Sequence, residues 1–410
     1  MRNTKSTLIS YGRPNPFKEA MVGTARCISY SLAPVRRAVG LCIQELPDLQ
    51  ERLSGAKNVL LKPNLLSSKR GPDKHINTHP RIVQALAETL INDFHCQVSI
   101  GDSCGTLSSG SSAEALRISG MEEVARNVGA QLYNVDTRPR RVVPFERGRI
   151  LKEVTLPEDL EEFDLIVSVG KLKTHMLTLL TGAVKNMLGL VPGEAKKHCH
   201  MLAPRPQDFA VLLADLYAVV RPGAAFVDGV IGMEGAGPSH GELRHLELVA
   251  ASCDGVALDG FCAQVMGLEP LNVPLLAQCH ERGLGIAGPE GVIVRGEPVA
   301  AFAPEEFAKP RTYAAGLGAH LVPRWMVREA LRYFSLHHAA INQQKCERCG
   351  ECARNCPSQT IRYDRAAERF EVDRAGCISC YCCAEVCPHD AVDVQAAWPK
   401  RMLDRIRGRE

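Results

Sequence analysis

The sequence predicts an α/β fold, a mostly parallel sheet with flanking helices, followed by a small α+β unit. Two observations carry this. Short apolar runs rich in β-branched residues alternate with helix-like segments from residue 59 to residue 266. The cysteines then crowd into the last quarter of the chain, in two runs of one spacing.

The first strand-like run is Val59-Leu60-Leu61, closed by the polar Lys62-Pro63-Asn64. A helical pattern covers Pro80 to Ile91, and a second polar loop is Gly101-Asp102-Ser103. Leu165 to Val169 is the clearest buried strand, and Gly170-Lys171-Leu172-Lys173 reads as the loop that ends it. Helices are expected over Thr178 to Leu188, Gln207 to Val220 and Asp254 to Met266, with Asp254 as an N-cap. Between the last two, Ala225-Phe226-Val227 is a strand and Asp228-Gly229 the turn after it. In open α/β sheets ligands bind outside the carboxyl ends of the strands, so these loops suggest one shared crevice.

The expected organisation is an α/β domain at 1–302 and a connector at 303–342. A compact cysteine-bearing domain at 343–396 and a basic tail at 397–410 complete the chain. Pro304, Pro310 and Pro323 punctuate the connector, where Arg324 to Phe334 has amphipathic spacing, and Trp398 to Arg409 forms the tail. A chain of 410 residues, 45% apolar and 23% charged, buries a sizeable core without disulfides. The net charge of +3 calls for no nucleic-acid partner. Residues 1–20 are polar and broken by Pro14 and Pro16, and Arg36-Arg37 precedes only a short apolar run. No stretch approaches the about 18 apolar residues of a spanning helix. A cytoplasmic location is therefore expected, where thiols bind metal or stay free.

Cys346, Cys349, Cys352 and Cys356 precede Pro357, and Cys377, Cys380, Cys383 and Cys387 precede Pro388. Both runs read C-x2-C-x2-C-x3-C-P, the spacing of a ferredoxin-type two-cluster domain, in which the fourth cysteine of each run serves the other cluster. Two [4Fe–4S] clusters are expected. Cys346, Cys349, Cys352 and Cys387 would hold one, and Cys377, Cys380, Cys383 and Cys356 the other. Structural zinc usually takes two C-x2-C pairs and fits poorly. The runs form an internal repeat that also pairs Ile361 with Val392 and Tyr363 with Val394. Cys382 breaks it and reads as a spare thiol. Of the upstream cysteines, Cys104 alone invites a test of reactivity.

Upstream, Lys62, Asn64, Lys185 and Asn186 are candidate binding residues for an anion, with Lys173, His175 and Asp102 as candidate catalytic groups. The lysines would hold the anion and His175 would donate a proton. Lys196 and Lys197 fit either the site or a solvated surface. A metal held by His175, His198 and His200 with Asp102, Asp228 or Glu234 is an alternative. The loop with Gly232, Gly235, Gly237 and Gly241, together with Ser239, His240 and Glu242, has the composition of an anion cradle. It is not a nucleoside triphosphatase loop, and no G-x-G-x-x-G comes after the first strand.

Lys62-Pro63-Asn64, Thr78-His79-Pro80, Gly101-Asp102-Ser103, Gly170-Lys171-Leu172-Lys173-Thr174-His175, Thr181-Gly182-Ala183-Val184-Lys185-Asn186 and Ser252-Cys253-Asp254-Gly255 together resemble the DUF362 family. The resemblance runs from about Met21 to Val294 and implies a domain often fused to a ferredoxin module, with no settled reaction. The reading is an iron–sulfur protein passing electrons to or from an anion site, with a redox partner protein and a small anionic substrate. A non-catalytic electron carrier or an iron–sulfur assembly factor is the alternative. A closed pocket with buried Lys173 and His175 favours the first, and an open surface favours the carrier.

Overall fold

The computed structural model describes residues 19–107, 110–310 and 338–395. The expected helix at Arg324 to Phe334 and the basic tail from Trp398 lie outside these residues.

Among the described residues, eleven strands precede the cysteine region: β1 (Ala20–Arg26), β2 (Asn58–Pro63), β3 (Gln97–Asp102), β4 (Gln131–Asn134), β5 (Arg140–Pro144), β6 (Glu153–Pro157), β7 (Leu165–His175), β8 (Leu179–Thr181), β9 (Ala224–Glu234), β10 (Glu242–Ser252) and β11 (Val292–Arg295). Nine of them form one sheet in the order β11-β1-β10-β9-β7-β2-β3-β4, with β8 paired to β7. β10 is antiparallel to both its neighbours and β8 to β7, and every other pairing in this sheet is parallel. β5 and β6 make a separate hairpin.

The chain runs outward from β2 through β3 to β4, then returns to place β7 on the other side of β2. That reversal is a topological switch point, where the loops after β2 and β7 part and leave a crevice. β7 is buried along its whole length, because helices cover both faces of the sheet. One face packs on helices Leu32–Gln44 and Pro80–Asn92, and the other on Pro206–Val219 and Gly255–Val265. As expected, Asp254 caps the last of these, accepting from the N–H groups of Val256 and Ala257.

The small unit comprises β12 (His338–Ile341), β13 (Ile361–Asp364), β14 (Arg369–Val372), β15 (Val392–Gln395) and two short helices, Glu351–Arg354 and Cys382–Val386. β12 pairs with β15 and β13 with β14, all antiparallel. The sequence repeat is also a backbone repeat. Left-handed residues recur at matched places in the two halves: Arg348 and Ser379, Gly350 and Tyr381, Gln359 and Asp390.

Several local expectations are corrected. Thr178 to Leu188 is not one helix. Leu179–Thr181 folds back on β7 as β8, and only Ala183–Asn186 is α-helical. Lys171, Lys173 and His175 lie within β7 rather than after it, because β9 and β8 continue to pair with that segment. Asp228 is likewise inside β9, not in a turn.

Candidate functional site

All seven residues singled out in the α/β part line one small cavity at the switch point: Lys62, Asn64, Asp102, Lys173, His175, Lys185 and Asn186. The ends of β2, β3 and β7 and the helix Ala183–Asn186 supply them. Ser103, Thr181, Lys196 and Pro238 complete the wall together with apolar Leu65, Leu66 and Leu188. The cavity measures about 50 Å³. Lys173 is 1% exposed and His175 2%.

At the floor, Lys62 Nζ pairs with Asp102 Oδ1 at 2.7 Å and donates to Asn186 Oδ1 (2.8 Å) and to the Pro63 carbonyl (2.9 Å). The other Asp102 oxygen accepts from the Leu65 N–H at 2.9 Å. Both oxygens of Asp102 are thus engaged, which anchors Lys62. Gly189 roofs this pair, and a Cβ there would lie 1.9 Å from Asp102 Oδ1. Asn186 Nδ2 donates to the Lys62 carbonyl and to Ser168 Oγ, both at 3.0 Å, tying β2 to β7. Thr78 fixes the loop after β2, since its Oγ1 accepts from the Asn64 N–H and donates to the Val169 carbonyl.

Lys173 Nζ donates to the Ile76 carbonyl at 2.6 Å. Lys185 also faces the cavity, and among the described residues neither of these two ammoniums has a carboxylate partner. Burial pulls Lys62 down to about 8 and lowers Lys173 and Lys185 as well. Lys196, left open by the sequence, belongs to the wall. Its ammonium donates to the Ser103 and Cys104 carbonyls and to Ser103 Oγ. Lys171 does not reach the cavity; it pairs with Asp228 at 2.9 Å and donates to Tyr30 Oη.

Two residues that the sequence did not single out for this site hold it in place. Asp259 accepts from the Ala183 N–H (2.6 Å) and the Val184 N–H (2.9 Å), capping the short helix that carries Lys185 and Asn186. The helix has room for that carboxylate because residue 182 is glycine, where a Cβ would meet Asp259 Oδ1 at 2.1 Å. Glu385 comes from the small unit. Its Oε1 lies 3.2 Å from His175 Nε2, while His175 Nδ1 accepts from the Leu177 N–H at 3.0 Å. Burial and nearby Lys185 hold His175 down to about 4. At neutral pH the ring is therefore uncharged and donates from Nε2 to Glu385. Its Nε2–H is thus already engaged by Glu385. The one legible hint of Glu385 was that the repeat sets it opposite Arg354, a reversal of charge.

The small unit docks through more than Glu385. Ser239 Oγ donates to the Glu385 carbonyl (2.7 Å), His240 Nε2 lies 3.2 Å from the Ala384 carbonyl, and Arg70 Nη2 donates to the Cys387 carbonyl (2.9 Å). The Leu107 N–H donates to Asn355 Oδ1 at 2.5 Å. The glycine-rich loop expected to cradle an anion therefore clasps the cysteine unit.

Two separate cavities inside that unit each gather four cysteines. One is lined by Cys346, Cys349, Cys352 and Cys387, with Ile341, Phe370 and Val392 among its apolar walls. The other is lined by Cys356, Cys377, Cys380 and Cys383, with Ala339, Ile361 and Val372. The crossing cysteine of each accepts a backbone N–H from four residues on, Thr360 to Cys356 Sγ (3.4 Å) and Ala391 to Cys387 Sγ (3.3 Å). Four thiolates around a dry space, with N–H groups aimed at sulfur, suit a cubane. Among the described residues no group of three or more His, Cys, Asp or Glu is set to hold a single metal ion. His198 is exposed, and the His200 ring stacks on Phe209 at 4.7 Å. Cys382 is buried beside Cys380. Cys104 is buried with its thiol pushed up by desolvation, the opposite of a reactive cysteine.

The family described as a domain of unknown function (DUF362) matches residues 59–264, half of the chain. The chain belongs to the DUF362 family. Its cysteine unit matches a 4Fe-4S dicluster domain over residues 345–391, so this DUF362 protein carries a ferredoxin-type iron–sulfur domain. It is 29% identical over 270 residues to the thylakoid-associated protein sll1697 of Synechocystis sp., covering 64% of this chain and 79% of that one. NADH-quinone oxidoreductase subunit I of Pelobacter propionicus is 35% identical over 66 residues, 13% of this chain and 36% of that protein. The crystal structure of a protein from Thermotoga maritima superposes with a TM-score of 0.36 at 15% identity, covering 58% of this chain and 59% of that one. Among the described residues of this DUF362 protein, no helix is long and apolar enough to cross a membrane.

Proposed function

We propose that this DUF362 protein is an iron–sulfur oxidoreductase whose α/β part, residues 1–302, binds a small anion beside the two-cluster domain at 343–396. Cys346, Cys349, Cys352 and Cys387 hold one [4Fe–4S] cluster, and Cys377, Cys380, Cys383 and Cys356 the other. When bound, the clusters supply one-electron chemistry. Lys62, Lys173 and Lys185 bind and orient the anion, with Asn64 and Asn186 shaping its seat. Asp102 positions Lys62, and the lysine ammoniums offer protons to the anion's oxygens. His175 positions Glu385 through its Nε2–H.

The observation that carries this reading is the place of Glu385. It lies between Cys383 and Cys387 in sequence, yet its carboxylate reaches His175 in the lysine cavity. One short helix thus links both cysteine quartets to the anion site. The burial of Lys173 and His175 supports a substrate pocket over a docking surface for a pure carrier. Cys349 is exposed and gives a redox partner an approach. Thiols in cluster spacing need a reducing compartment, and we place the protein in the cytoplasm.

The test is anaerobic reconstitution with iron and sulfide, then EPR of the reduced protein with and without added anions. Two interacting [4Fe–4S] signals are expected, with a lineshape that responds to an anion in the wild type and not in Lys173→Ala. A wild-type spectrum indifferent to every anion overturns the coupling of site to clusters.

A further inference from the structure

The cavity is small for a site framed by four lysines. Its inner volume of about 50 Å³, behind a mouth open to solvent, equals roughly four water positions at ~10–15 Å³ each, the bulk of an oxyanion of four or five heavy atoms. Leu65, Leu66, Leu188 and Pro238 bound it with apolar surface, which offers nothing to a ribose, a base or a polar tail.

Two of the four cations are already matched. Lys62 has Asp102, and Lys196 has two carbonyls and the Ser103 hydroxyl, which itself donates to Asp136 at 2.8 Å. Lys173 and Lys185 are not matched by a carboxylate at ion-pair distance among the described residues. An ammonium has three donors, and Lys173 has one hydrogen bond, to Ile76. Glu385 acts on both from beyond ion-pair distance, and an anion between these two lysines adds a counter-charge in direct reach of the buried Lys173 and the partly buried Lys185. Asn64 Oδ1 is also buried with no hydrogen-bond partner. It suits an O–H donor, which a singly protonated oxyanion carries.

We infer that the cavity takes a compact inorganic oxyanion whole, between Lys173 and Lys185, and not the phosphate end of an ester or nucleotide. This rests on reading the cavity as an anion site. The full, cluster-loaded chain is titrated anaerobically in a calorimeter with inorganic phosphate, sulfate, bicarbonate and glycerol 3-phosphate. At least one inorganic oxyanion is expected to bind, with glycerol 3-phosphate about tenfold weaker or worse, a difference of ~1.4 kcal/mol. Lys185→Gln, checked for unchanged visible cluster absorbance, is expected to weaken the inorganic ion about tenfold. An ester that binds as tightly as the inorganic ions overturns the compact class and leaves the anion site standing. No heat from any of the four overturns both. The ester comparison needs only the wild-type chain, so it decides even if the variant fails to load clusters.

Discussion

Glu385 brings a carboxylate behind the wall of a cavity framed by four lysines, 3.2 Å from His175 of that wall. Burial alone would raise its carboxyl, but His175, Lys185 and His200 outweigh that and hold it at about 2. It is therefore a fixed negative charge that any bound anion must face. Glu385→Gln keeps the shape and an oxygen for the His175 Nε2–H while removing that charge. The expected result is unchanged iron and sulfide content with anion affinity raised about tenfold, the order of one charge interaction in a partly screened interior. Calorimetry with inorganic phosphate checks it; a fall in affinity would assign Glu385 to holding the lysines in place instead. At this scale the sequence was informative where chemistry is rare. The eight cysteines stand out by spacing, and Lys62, Asp102, Lys173 and Lys185 stand out as charges beside apolar runs. Glu385 did not, because a glutamate on a short helix looks like ordinary surface until a second domain is packed over it.

Among the elements, strand ends were easier to read than the short segments after them. β2 and β7 announced themselves as continuous apolar runs, the pattern of strands buried on both faces. Leu179–Thr181 did not, since three residues have no period, and pairing with Lys173–His175 decides their state. The helix behind them, Ala183–Asn186, is four residues long and too short to persist on local hydrogen bonds. Asp259, from the helix Gly255–Val265, supplies the missing acceptors to its first N–H groups. Asp259→Asn retains one acceptor and turns an N–H donor toward another donor. The loss is expected at about 1–3 kcal/mol, seen as a lower midpoint in urea, with Lys185 and Asn186 displaced and anion binding weakened. An unchanged midpoint would mean the helix is held by packing alone.

For the whole molecule, the sequence made the internal symmetry of the cysteine unit legible and left its placement on the α/β part unreadable. The repeat at Gly350 and Tyr381, both left-handed, arises from local spacing. The docking surface pairs loops far apart in the chain, such as Leu107 with Asn355 and Ser239 with Glu385, and no local pattern encodes such contacts. Arg70 is central to it. Its guanidinium donates to the Ser239 carbonyl at 2.7 Å and to the Cys387 carbonyl at 2.9 Å, joining the glycine-rich loop to the loop of a cluster-spaced cysteine. Removing it leaves two half-buried carbonyls without their charged donor, a cost of about 1–3 kcal/mol. That cost falls on the docking of the unit, not on the cysteine cavities, whose walls are its own strands and helices. Arg70→Ala is therefore expected to load the same iron and sulfide as the wild type, yet lose visible absorbance several-fold faster under an iron chelator. In the same variant the EPR lineshape should respond less to added anion, because Glu385 is no longer held against His175. Equal chelation rates and an undiminished anion response would show that the two parts communicate without this contact.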